Sequence, residues 1–156
     1  MDHLYYGVIH LNEYERCFKL GLLRKVPPSS KKGKDSIKKA SEWLNEAGKN
    51  KKATANDSCI ASSYLAMFHA ARAILFRDGV REKSHYCIAR YLEKYVEEQR
   101  IEEEWVVLLD RLRDIRHNDQ YSLTHQATIE EASAALDAAK DFVSRIKKLF
   151  TELENK

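Results

Sequence analysis

Between Asn56 and Gly79 the chain is apolar around most of a helical circumference. Ala61, Tyr64, Leu65, Phe68, Ala71 and Leu75 fall in one row at helical spacing, and Ile60, Met67 and Ile74 form a second row beside it. A helix apolar over so wide an arc has to touch several neighbours at once, so it is the central helix of whatever forms around it. Asn56 reads as its N-cap and Gly79 as its stop. With only 5 Gly and 2 Pro in 156 residues, turns are scarce and the rest of the chain should be long regular elements.

Helical period continues on both sides. A first helix is expected from about Leu11 to Leu22, with Tyr14, Cys17, Phe18 and Leu22 on its apolar side, before the linker Pro27-Pro28-Ser29-Ser30. Asp35 or Ser36 can cap the next helix, which carries Ile37, Ala40, Trp43, Leu44 and Ala47 and meets a stop at Gly48, followed by the loop Lys49 to Lys52. Ser84 can cap a helix that turns Ile88, Tyr91, Leu92 and Tyr95 inward. Glu97, Glu98, Glu102, Glu103 and Glu104 lead into the following helix, where carboxylates at the N-terminus suit the macrodipole. Thr128-Ile129-Glu130-Glu131 is a capping box opening a last helix to about Leu153. Its buried stripe is Ala132, Ala135, Leu136, Ala139, Phe142, Val143, Ile146 and Leu149. No run alternates as a strand would. The expected fold is all-α: one domain over residues 1–156, an antiparallel up-down bundle of four to five main helices plus an N-terminal helix.

A composition 44% hydrophobic and 33% charged supports a real core. No run near bilayer-spanning length and no leader pattern stand out, so no membrane is expected. Cys17, Cys59 and Cys87, odd in number and without a CxxC, read as small buried apolar side chains in a reducing cytoplasm. Residues 24–52 hold ten Lys/Arg against Asp35, Glu42 and Glu46. That excess either steers a nucleic acid or is simply a solvated face; no aromatics are interleaved as a stacking platform. His3, His10 and His125 lack metal-ligand spacing with one another or with cysteine. Neither a phosphate loop, a dinucleotide fingerprint nor a nucleophile elbow is present. No cofactor or metal is expected.

The chemistry concentrates in Asp110 to Tyr121. At about 100° per residue, Arg113 and His117 stack one above the other with Arg116 and Gln120 alongside, while Leu108, Leu112 and Ile115 turn elsewhere. Arginine can hold a phosphate by charge-assisted hydrogen bonds, and histidine titrates near neutrality. These are ingredients for cleaving RNA without metal. The plainer reading pairs the same cations with Asp110, Asp114 and Asp119. His69, within an apolar helix, suits either a bonded core histidine or a ligand. His85, just past Ser84, suits either a capping contact or an anion. Together with Arg72 and Asn118 they are the candidate ligand-binding residues.

The stretch Ala61-Ser62-Ser63-Tyr64-Leu65-Ala66-Met67-Phe68-His69-Ala70-Ala71-Arg72 resembles the central helix of the HEPN domains, in particular the small stand-alone prokaryotic ones. Lys83-Ser84-His85 resembles the family's following loop and helix start, Arg116 to Tyr121 its arginine motif, and Ala132 to Ile146 its closing helix. The similarity spans about residues 36–150. It implies a helical bundle that forms a homodimer and brings two Arg/His motifs together. It also implies a metal-independent endoribonuclease of the toxin kind, neutralised by a partner nucleotidyltransferase antitoxin. On this resemblance the candidate catalytic residues are Arg111, Arg113, Arg116, His117 and Tyr121. The family motif places four to six residues between arginine and histidine. Arg111 and His117 satisfy it with five between them but point about 120° apart on a helix. Arg116 with four between reaches Tyr121 in place of histidine. Three readings follow: a dimeric ribonuclease; a non-catalytic module binding nucleotide, RNA or a partner protein; and a plain helical interaction protein using the Tyr64/Phe68 helix or the last helix as its dimer face.

Overall fold

A computed structural model describes residues 12–156. Six helices are present among them: α1 (Glu13–Lys19), α2 (Ser30–Lys52), α3 (Asn56–Asp78), α4 (His85–Glu97), α5 (Glu103–Tyr121) and α6 (Ile129–Glu154). Strands β1 (Leu23–Lys25) and β2 (Val80–Glu82) form a two-stranded antiparallel ladder, with Leu23 opposite Glu82 and Lys25 opposite Val80. The architecture is the expected all-α bundle. The ladder was not foreseen, because three residues are too few for a period of two to register.

The 23-residue α3 occupies the centre, packed against α2 most extensively and also against α4, α5 and α6. Ile60, Tyr64, Met67, Ala70, Ala71, Ile74 and Leu75 are buried on it, so its burial wraps the axis, as its two apolar rows predict. By length and composition α3 could cross a bilayer, contrary to the expectation that no run is long enough. Yet 72% of its most apolar window is buried inside the bundle, which is how a core helix behaves. Gly79 ends it with φ of +80°, a conformation in which a Cβ would stand 2.5 Å from the Val26 carbonyl oxygen.

All eight residues expected in the closing helix's stripe are buried on α6, and Thr128 caps it by accepting from the Glu131 N–H. Ile88, Tyr91, Leu92 and Tyr95 are buried on α4 as expected. The helix boundaries depart from expectation in four places. The first helix stops at Lys19 rather than near Leu22, and Leu11, His3 and His10 lie outside the described residues. Helix α2 starts at Ser30, because the Ser29 hydroxyl accepts from the Lys32 N–H and caps it earlier than Asp35 or Ser36. Gly48 does not stop α2. Its propensity cost of about 1 kcal/mol is offset by buried Ala47 and by Asn50, whose amide donates to the Ser58 carbonyl and the Ser62 hydroxyl of α3. Asn56 is the first residue of α3 and not its cap; its amide instead donates to the Ala127 carbonyl.

Cysteine usage also needs correcting. Cys17 and Cys87 form a disulfide with a Cα–Cα separation of 6.0 Å, tying α1 to α4; Cys59 alone is the buried free thiol expected of all three. Sequence spacing could not reveal a pair 70 positions apart.

Candidate functional site

A cationic and aromatic surface forms where the outer edge of α3 meets the start of α4 and the second half of α5. Tyr64, Phe68 and Arg72 recur every four residues and therefore stack along one edge of α3. The Tyr64 hydroxyl lies 3.0 Å from Nδ1 of His85. Phe68 stacks obliquely on the His85 ring at 4.4 Å and meets the His69 ring edge-on at 5.0 Å. The Arg116 guanidinium lies 5.3 Å over the Tyr64 ring. Arg72 lies over Phe68 and Phe76 and pairs with Glu82 at 2.8 Å.

The titration behaviour follows from this packing. Desolvation pushes the Tyr64 hydroxyl up to about 12, opposed by the charges of Arg113 and Arg116. Desolvation, then the Arg116 charge, holds His85 below its ordinary range. Desolvation, then Arg72, brings His69 down to about 4. Tyr64 is thus a phenol and both histidines are neutral at neutral pH. One hydrogen bond therefore joins the neutral phenol to Nδ1 of the neutral His85 ring, its direction set by the imidazole tautomer.

The two arginines facing this surface differ in availability. Arg113 donates to Asp110 at 2.8 Å, and the same carboxylate also pairs with Arg90. Both guanidiniums lie over the Tyr86 ring, at 5.4 Å for Arg113 and 4.7 Å for Arg90. Arg116 makes no ion pair among the described residues, so an incoming anion competes with no carboxylate for it.

The structure thus brings together His69, Arg72, His85, Arg113 and Arg116 from the sequence-derived set. It leaves the others apart. His117 is exposed and stacks obliquely on Tyr121 at 4.8 Å, and neither hydrogen bond nor ion pair joins it to Arg113 or Arg116. Asn118 and Tyr121 are exposed beside it. Arg111 lies on another side, in a groove with Trp105, Leu108, Ala138 and Asp141, where α5 and α6 touch only sparsely. Sequence reading missed Tyr64 and Phe68 as site residues because both look like core, and both are buried. Their spacing with Arg72 was the available signal. It also missed the Asp110 clamp on Arg90, since those two sit on different helices. Arg116, His85 and Arg72 stack on the Tyr64 and Phe68 rings within one chain.

An all-α bundle with this central helix, and an arginine motif ending the helix packed on it, defines a HEPN fold. The HEPN domain profile matches residues 34–149, and the chain belongs to the HEPN domain family. Two relatives give the neighbourhood. A Methanocaldococcus jannaschii protein named "Putative toxin MJ0605" is 33% identical over 95 residues, 60% of this chain and 70% of its own length. A "UPF0332 protein" of Archaeoglobus fulgidus is 28% identical over 111 residues, 71% of this chain and 89% of its own length.

Proposed function

We propose that this chain is a HEPN endoribonuclease of the toxin kind, acting as a homodimer and restrained by a nucleotidyltransferase antitoxin. The observation that carries the reading is Arg116, a cation without an ion pair among the described residues and spread over the Tyr64 ring, one residue before exposed His117. In this reading Arg116 holds the scissile phosphate, and His85, in its Nε2–H tautomer, is a neutral donor beside it. A His117 side chain takes the proton from a ribose 2′-OH. The 2′-oxygen then attacks phosphorus, the bond to the 5′-oxygen breaks, and that oxygen is protonated as it leaves. The products are a 2′,3′-cyclic phosphate and a free 5′-hydroxyl. Dimerisation would bring a second His117 to supply the departing proton, and Tyr121 would orient the first.

The test is cleavage of a mixed RNA pool by purified protein in EDTA, beside His117→Ala and Arg116→Ala. Cyclic-phosphate ends lost in both variants support the reading. Equal cleavage by His117→Ala overturns it. A second reading, a non-catalytic module binding RNA or nucleotide on the same surface, is favoured by the stacking of His117 on Tyr121 and its lack of a bond to either arginine. RNA binding without turnover, lost in Arg116→Ala, would select it.

A further inference from the structure

Two carboxylates converge on one imidazole nitrogen just past the arginine motif. Nε2 of His125 lies 3.1 Å from Oδ1 of Asp119 and 3.3 Å from Oε2 of Glu131. The three candidate donor atoms all lie within 4.8 Å of one another. They come from the end of α5, the connecting loop and the first turn of α6. A single N–H cannot serve both oxygens well; its hydrogen bond goes to Glu131, which leaves Asp119 poorly used. The Asp119 side chain is only 6% exposed, and its second oxygen, Oδ2, is buried with no hydrogen-bond partner among the described residues. A carboxylate kept this dry, with an oxygen unanswered, is placed to take a cation.

The spacing fits a small ion. Four N/O ligands at about 2.0–2.1 Å around a tetrahedral ion stand about 3.3–3.4 Å from one another. The two observed nitrogen–oxygen separations are close to that edge. The loop is already held in place: the Ser122 hydroxyl accepts from the Thr124 and His125 N–H groups, and the Ala127 N–H donates to Asp57 of α3.

We propose that Asp119, His125 and Glu131 form a zinc-type divalent metal site, with water completing the coordination, that pins the α5–α6 loop beside Tyr121. The ion is structural and has no part in the cleavage chemistry proposed above. Zn2+ alone, titrated calorimetrically into the chelator-stripped full chain, should bind with a stoichiometry of one per chain. Asp119→Asn and His125→Ala should each weaken binding at least ~10-fold, while His117→Ala, outside the cluster, leaves it unchanged. Zn2+ should raise the melting temperature of the parent chain and not of His125→Ala, whose exposed side chain can be removed without unfolding the bundle. No binding, or binding that His125→Ala leaves intact, would overturn the site.

Discussion

The Tyr64 hydroxyl and Nδ1 of His85 lie 3.0 Å apart, joining the central helix to the first residue of α4. Because desolvation raises the phenol to about 12 and His85 is held below its ordinary range, both groups are neutral at neutral pH and share one hydrogen bond. Tyr64→Phe should therefore cost about 1 kcal/mol in urea unfolding. It should also shift the His85 Nδ1 resonance in nitrogen NMR. An unchanged resonance would show that the two groups do not interact in solution.

Arg116 and Arg111 lie on different sides of α5, and only Arg116 is near His85 and Tyr64. Arg116→Ala should weaken RNA binding roughly 10-fold, the value of one or two phosphate hydrogen bonds. Arg111→Ala should leave it within about 2-fold. Filter binding at fixed salt reads both, and equal losses would refute the assignment.

Acid should destabilise the protein through His69. Its folded value is about 4, set by desolvation and then Arg72, Lys39 and His85, against 6.5 for a free histidine. As pH falls from about 6.5 toward 4, the unfolded chain takes up a proton that folded His69 refuses. Stability is therefore fully present above that window and declines through it, by ~1–2 kcal/mol once solvent screening of a half-buried ring is counted. His69→Gln should flatten the decline in a series of melts, and an unaltered slope would exclude His69 as its source.

The Cys17–Cys87 disulfide closes a separation of 70 residues and should contribute about 2–4 kcal/mol through the unfolded state. Dithiothreitol or Cys17→Ser should lower the urea midpoint accordingly. Alkylation of the unfolded, unreduced chain should label Cys59 and no other cysteine. Three labelled thiols would mean the bond is not formed.

The buried stripes of α4 and α6 and the wide apolar face of α3 were determined by the sequence alone. Each depends on residues three or four positions apart, where backbone geometry dictates which side chains share a face. The helix ends were less legible: Gly48 and Asn56 carry stop and start signals that contacts from Asn50 to α3, and from Asn56 to the loop before α6, override. What only the tertiary structure decided is which faces meet. His85 and Tyr64 are 21 positions apart, Arg90 and Asp110 are 20, and Cys17 and Cys87 are 70. Such pairs form because packing apolar stripes brings the polar edges beside them together. The energy of that packing is a property of the whole core, not of any local spacing.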